Sequence, residues 1–115
     1  MQESLWLRRG LSMGYKVIIT KRAEELIDKL LNYLLLKLKN KQAAFHLLDA
    51  IEKIYDRLEE NPLQFPICQD IYLESKGYRE AIIPEMDYII VFQVVNDEVI
   101  IMGAFHQLEK YQTKL

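Results

Sequence analysis

The sequence predicts a single α+β domain, because its apolar residues recur first at helical spacing and then in strand-like runs. Between residues 21 and 60 they return every three or four positions, which is the period of an amphipathic helix. After residue 77 the apolar runs are short, β-branched or aromatic, and separated by turn residues. A length of 115 residues suits one domain. The predicted order is an N-terminal strand, an antiparallel helix hairpin and a three-stranded antiparallel meander (β-α-α-β-β-β).

The first strand is predicted at residues 14–20, and Thr20 is placed to cap the helix that follows. This helix has a long apolar stripe formed by Ala23, Leu26, Ile27, Leu30, Leu31, Leu34 and Leu38. Tyr33, Leu35 and Leu36 lie off the stripe, so the helix is apolar over more of its circumference than one sheet requires. Either the hairpin has a thick core, or these three residues form a surface for an antagonist helix or a second copy of the chain.

A turn at Asn40 introduces the second helix, which ends before Asn61-Pro62 because proline cannot continue a helix. Its apolar stripe is formed by Ala44, Leu47, Leu48, Ile51, Tyr55 and Leu58. Since the linker is so short, the two helices are expected to pack as an antiparallel hairpin. His46 lies off the stripe and is expected to be a solvated helix residue.

Three strands are predicted at residues 77–83, 88–95 and 98–105. Asn96-Asp97 forms a two-residue hairpin turn between the second and third of these strands. Both of those strands are apolar on two faces, which predicts that they lie in the middle of the sheet with the helices covering one side.

Residues 1–12 precede the first regular element and are interpreted as an extension outside a domain spanning residues 13–115. Arg8 and Arg9 follow Leu5-Trp6-Leu7 directly, so this extension lacks the continuous apolar core of a secretion signal.

The longest apolar run and the cysteine content limit the compartments and the ligands that are expected for this chain. The richest apolar run, residues 88–95, is too short to cross a membrane, so no membrane partner is expected. The single cysteine, Cys68, excludes an internal disulfide and a cysteine-based zinc site, and it indicates a reducing cytoplasm. No cofactor and no metal are expected.

The charge distribution argues against binding nucleic acid mainly through its phosphates. The net charge is −2, and residues 62–115 carry four basic groups against eight acidic ones. A domain that neutralises a phosphate backbone is expected to present a basic surface, which this half of the chain lacks.

Several short motifs follow one another in a fixed order along residues 14–111. They are YKVIIT at 15–20, an alanine pair at 43–44, NP at 61–62, FP at 65–66, GYR at 77–79, DYIIVF at 87–92, VII at 99–101, and Phe105, His106 and Tyr111. In this order they resemble toxins of the RelE/ParE superfamily from bacterial type II toxin–antitoxin systems. The resemblance implies a cytoplasmic toxin, a cognate antitoxin as partner and a role in plasmid stabilisation; it leaves a homodimer open.

The superfamily contains two activities, and the fold alone does not choose between them. RelE-like members are ribosome-dependent endonucleases that cut mRNA and carry several arginine and lysine side chains on the sheet face. ParE-like members bind DNA gyrase and trap it on broken DNA.

The nuclease activity would require a base, an acid and cations that stabilise the phosphate. The candidate catalytic residues are Arg79 to hold phosphate, His106 to titrate near neutrality, and Tyr111. Each also has a simpler interpretation. Arg79 would pair with Glu80, His106 would bond to the backbone at the sheet end, and Tyr111 would pack over the C-terminal edge.

The ParE-like activity is favoured by the residues around the predicted sheet. Ile89 stands where many nuclease members show arginine, and Glu80, Glu85 and Asp87 lie close by and would repel phosphate. The sequence therefore predicts inhibition of gyrase by protein contact, neutralised by an antitoxin. The alternatives are a RelE-like mRNA endonuclease acting with the ribosome, and a non-toxic module that only binds its antitoxin.

Overall fold

The computed structural model describes residues 14–69 and 71–106, and it confirms the predicted order of elements. Along the chain the elements are β1 (Lys16–Ile19), α1 (Lys21–Asn32), a π-helical turn (Tyr33–Lys37), α2 (Lys41–Glu60), a 3₁₀ turn (Pro62–Gln64), α3 (Ile71–Ser75), β2 (Tyr78–Ile82), β3 (Tyr88–Val95) and β4 (Glu98–His106). In the described residues, no helix combines the length and apolar character that crossing a bilayer requires. The predicted extension, residues 1–12, lies outside the described residues.

The four strands form one mixed sheet in the order β1-β4-β3-β2. The last three strands pair antiparallel as a meander, and β1 adds to β4 in parallel, with Lys16 opposite Glu98. The prediction that β3 and β4 lie in the middle of the sheet is therefore confirmed. The turn between them has Asn96 at a φ of 57°, a left-handed conformation that asparagine tolerates well.

Both helices of the hairpin begin at side-chain caps, and the sequence predicts the one at Thr20. Thr20 Oγ1 accepts a hydrogen bond from the Ala23 amide at 3.1 Å, and it donates one to the Ile101 carbonyl at 2.8 Å. Asn40 Oδ1 accepts from the Ala43 amide at 3.0 Å. Thr20 thus caps α1 and also joins it to β4.

The first helix changes its geometry where its apolar run is densest. The Leu38 amide donates to the Tyr33 carbonyl at 3.0 Å, the i→i+5 bond of a π-helix. This wider turn interrupts the 3.6-residue period, so Leu34 is buried whereas Leu38 is half exposed. The assignment of Leu38 to the core stripe is therefore wrong.

The hairpin covers one face of the sheet and buries most of the predicted apolar stripe of α2. The buried residues of this layer include Leu47, Ile51, Ile54, Leu58, Ile90, Phe92, Val99 and Ile101. Leu48, which the stripe also included, is 44% exposed. It follows Leu47 by one residue, so it projects about 100° around the helix from the centre of the buried face.

The opposite face of the sheet carries a second, smaller apolar layer. Its buried residues are Cys68, Leu73, Tyr78, Ile89, Val91 and Phe105. Leu73 belongs to α3, a helix that the sequence analysis did not predict. The sheet is therefore buried on both faces, by the hairpin on one side and by the segment around α3 on the other.

Candidate functional site

Five exposed apolar side chains lie at the turn end of the helix hairpin. We call this set the hairpin-tip patch, and it consists of Tyr33, Leu35, Leu36, Leu38 and Phe45. The three residues that the sequence places off the core stripe all belong to it, and the exposed fraction of Leu36 is the highest of the five at 73%. The structure therefore places them on the surface and not in a thickened core.

The surroundings of the hairpin-tip patch are positively charged. Residues 29–48, which include the whole patch, contain four lysines and no aspartate or glutamate. Lys37, Lys39 and Lys41 are exposed and alternate with the apolar residues around the turn. The tip of the hairpin thus combines an apolar surface with a basic one, and exposed apolar patches of this kind mark interaction sites.

Arg79 lies on β2 and is held by the segment that follows α2. Its guanidinium donates a hydrogen bond to the Phe65 carbonyl. The guanidinium of Arg57 lies over the Phe65 ring, 4.5 Å from the ring centroid. Glu80 is the next residue of the strand and therefore projects to the opposite face, which does not favour the predicted pairing with Arg79. Arg79 has a structural contact that the sequence did not reveal.

His106 ends β4 on the hairpin side of the sheet. Opposite β3, the strand β4 contains one extra residue, Met102, because Val91 pairs with Gly103 while Phe92 pairs with Ile101. This bulge shifts the alternation of the side chains that follow. His106 consequently packs edge-to-face against the ring of Tyr88, its partner across the strands, with 5.6 Å between the ring centroids.

The structure does not bring Arg79 and His106 together. Arg79 pairs with Phe92, and His106 pairs with Tyr88, which lies four residues earlier on β3; the two pairs involve strands on opposite sides of β3. From the ordinary strand rise and spacing, their Cα atoms are about 16 Å apart. The third candidate of the nuclease site, Tyr111, lies outside the described residues.

Ile89 lies inside the second apolar layer and is 3% exposed. Its neighbours Val91 and Phe105 are also buried, so this face of the sheet is closed by apolar side chains beneath α3. Cys68 is buried in the same layer, which removes its thiol from solvent. In residues 14–69 and 71–106, no three histidine, cysteine or carboxylate side chains are grouped as a metal ion would require.

The sequence analysis missed the role of His46. This residue does not simply project into solvent: its Nε2 donates to the Pro84 carbonyl at 3.0 Å and lies 3.8 Å from Glu85 Oε1. It therefore joins α2 to the turn between β2 and β3. A cavity of about 330 Å³ beside it is lined by Lys53 and Arg57 among others. The spacing of His46 from a turn nearly forty residues later gives no local sequence signal.

Comparison with known proteins adds an independent line of information. The family model described as the ParE toxin of the type II toxin–antitoxin system, parDE, matches residues 17–111. Among solved structures, a chain described as the chromosomal ParDE toxin–antitoxin system from P. aeruginosa is similar, with a TM-score of 0.65 and 16% identity. The similarity covers 82% of this chain and 96% of that one. No curated protein matches the sequence significantly.

Proposed function

Because the chain belongs to the ParE family of toxins from type II toxin–antitoxin systems, we propose that it inhibits DNA gyrase by protein contact and is neutralised by a cognate antitoxin. The observation that carries the choice of target is the closed second face of the sheet. RelE-like nucleases present arginine and lysine side chains on the sheet, whereas here Ile89 and its neighbours form a buried apolar layer. A buried layer offers no cation to a phosphate.

The placement of the remaining nuclease candidates supports the same choice. Arg79 is engaged by a backbone carbonyl, and His106 packs on an aromatic ring at a different part of the sheet. General acid–base catalysis requires the participating groups within hydrogen-bonding reach of one substrate. Two groups separated by about 16 Å do not meet this requirement on a single phosphodiester.

The hairpin-tip patch is the surface that we assign to the antitoxin. Its apolar side chains would be covered by an amphipathic segment, in the manner of a helix lying in a groove. The lysines around it favour a segment that carries carboxylates beside its apolar residues. A disordered antitoxin tail that folds onto the toxin would satisfy both requirements.

The test of the gyrase proposal follows DNA and protein synthesis in parallel after a short induction of the chain in bacteria. We expect incorporation of labelled thymidine to fall before that of labelled methionine, and purified chain to convert gyrase into cleaved-DNA complexes. The double variant Arg79→Ala/His106→Ala should retain most of the toxicity. Thermal unfolding of the variant provides the control for folding.

Two other outcomes would replace the proposal. An early fall in methionine incorporation, with cutting of translated mRNA that Arg79→Ala abolishes, would establish the nuclease alternative. Unaffected growth at verified soluble levels would indicate a module that only binds its antitoxin.

A further inference from the structure

A groove between α1 and α2 continues into the hairpin-tip patch, and the two form one elongated surface. The groove has a volume of about 260 Å³. Its lining residues nearest the tip are Leu31 on α1 and Leu48 on α2. Leu35 follows Leu31 by four residues, and Phe45 precedes Leu48 by three. Each helix therefore carries the apolar surface about one turn further toward the tip. We call the groove and the patch together the hairpin face.

The two ends of the hairpin face carry opposite charges. At the groove end, Glu24 and Asp28 lie one helical turn apart on α1, and both line the groove. At the tip end, Lys37, Lys39 and Lys41 are exposed around the turn. The face is thus acidic at one end, apolar in the middle and basic at the other end. A partner that matches it presents the same three parts in reverse order, and a second copy of this chain, turned end to end, does so.

We propose that two copies of this chain associate through their hairpin faces as a two-fold symmetric dimer, with the tip of each copy against the groove end of the other. The two-fold axis passes at the level of Leu31 and Leu48. Glu24 lies seven residues before Leu31, about 10 Å along the helix axis. Lys37 and Lys39 lie six and eight residues after Leu31, at about the same distance on the other side. Rotation about the axis therefore brings these lysines level with Glu24 of the other copy.

Two-fold symmetry makes each charge contact occur twice. Both copies use the same surface in such a contact, so a face with acid at one end and base at the other is complementary to itself. The flexible four-carbon stem of lysine lets its ammonium group reach carboxylates at the same level on a neighbouring helix. A parallel arrangement would instead place lysines on lysines and carboxylates on carboxylates, which weakens association. Charge therefore selects the antiparallel arrangement.

The apolar part of the hairpin face is large enough for a stable dimer. Six large side chains on it are between 40% and 73% exposed: Tyr33, Leu35, Leu36, Leu38, Phe45 and Leu48. At about 200 Å² for a side chain of this size, their exposed fractions amount to about 650 Å² per copy. Two copies would together cover about 1,300 Å², which lies within the range of about 1,200–2,000 Å² for specific protein interfaces.

A dimer of this kind would cover the hairpin-tip patch until the antitoxin binds. The antitoxin and the second copy would compete for the same apolar residues, so neutralisation would require the dimer to separate. The inference does not rest on the gyrase proposal or on the assignment of the patch to the antitoxin, because its test measures the mass of the purified chain and not toxicity.

Sedimentation equilibrium of the purified full chain over a range of concentrations tests the inference. We expect the mass of two chains at high concentration and the mass of one chain after dilution. Charge reversal at the tip, by Lys37→Glu/Lys39→Glu, should raise the dissociation constant of the dimer at least about tenfold. Charge reversal at the groove end, by Glu24→Lys/Asp28→Lys, should have the same effect.

The matched control is Lys53→Glu/Lys76→Glu, which changes the net charge by as much as the reversal at the tip. Neither lysine lines the groove. Lys53 pairs with Asp49 on α2, and Lys76 lies 5.1 Å from the centre of the Tyr72 ring. This control should leave the dissociation constant of the dimer unchanged.

Mixing the two charge-reversed variants shows whether the opposite charges meet between two chains. In a mixed dimer, the glutamates of one tip face the lysines introduced at the other groove end. The unchanged lysines of the other tip face unchanged carboxylates, so both contacts are attractive again. We expect the mixture to form dimers with one chain of each kind, after thermal unfolding has verified that each variant is folded.

Four results would overturn the proposal. The first is the mass of one chain for the unsubstituted protein at every concentration. The second is a dimer that neither charge reversal weakens, because its interface would then lie elsewhere. The third is a mixture of folded charge-reversed variants that stays monomeric. The fourth is a mass that keeps rising with concentration, since a two-fold contact closes at two copies.

Discussion

Replacing Leu36 by serine is expected to separate partner binding from folding. The side chain is 73% exposed, so only about a quarter of its surface stabilises the isolated fold. Full burial of a leucine side chain contributes about 2 kcal/mol, which limits the loss of unfolding free energy to about 0.5 kcal/mol. The exposed remainder is available to the antitoxin. If the antitoxin buries this exposed surface of Leu36, the substitution by serine weakens binding by about 1.5 kcal/mol, or about tenfold in Kd.

Urea unfolding measures the change in the free energy of unfolding. Calorimetric titration measures the change in affinity for the antitoxin, which is first identified by rescue of growth and by co-purification. Ile71→Ser is the matched control, because Ile71 is 81% exposed but lies on α3, away from the hairpin; it should leave the affinity unchanged. Leu34→Ser is the opposite control, since Leu34 is buried and its loss should cost about 2–5 kcal/mol of stability. Unchanged affinity in Leu36→Ser, with normal folding, would refute the assignment of the patch.

Three further substitutions test the packing. Gly103→Ala would place a Cβ 2.7 Å from the buried ring of Phe105, so we expect the unfolding free energy to fall by about 1–3 kcal/mol; an unchanged urea midpoint would contradict this. Thr20→Ala removes the cap of α1 and the bond to Ile101, which should cost about 1–2 kcal/mol in thermal unfolding, whereas Thr20→Ser should retain most of it. Burial raises the pKa of Tyr55 above its ordinary value of 10.0, so above that pH the unfolded chain releases a proton that the folded chain keeps. The stability that this difference in pKa contributes is fully present below pH 10. Above pH 10 the free energy of unfolding should fall by up to about 1.4 kcal/mol per pH unit, and in Tyr55→Phe it should fall less steeply.

The sequence predicts those parts of the fold whose signal is local and periodic. The stripe of α2, the cap at Thr20, the turn at Asn40 and the central position of β3 and β4 all depend on spacing or turn chemistry within a few residues. The π-helical turn was missed because the run Tyr33-Leu34-Leu35-Leu36 is apolar in every register. Helix α3 has five residues, which is too few to display a helical period.

The site residues were harder to predict because tertiary structure decides their contacts. The carbonyl that Arg79 binds lies fourteen positions earlier, in a segment with no regular pattern. The orientation of His106 depends on the single extra residue at Met102, which moves every later side chain of β4 to the other face. By contrast, the surface position of Leu36 is one of the two alternatives that an apolar residue off the stripe predicts, and its exposure in the structure decides between them.

The parallel pairing of β1 with β4 has a consequence for the time at which the molecule can fold. Thr20 and Ile101, which are hydrogen-bonded across this pair, are 81 positions apart, and β4, which lies between β1 and β3 in the finished sheet, is the last of the four strands to be synthesised. A chain emerging during translation can form its helices early, but its first strand has no partner until β4 has been synthesised. Closing so large a loop lowers the entropy of the chain, and the contacts that offset this cost form only together with the last strand. Assembly of the sheet is thus tied to the synthesis of β4.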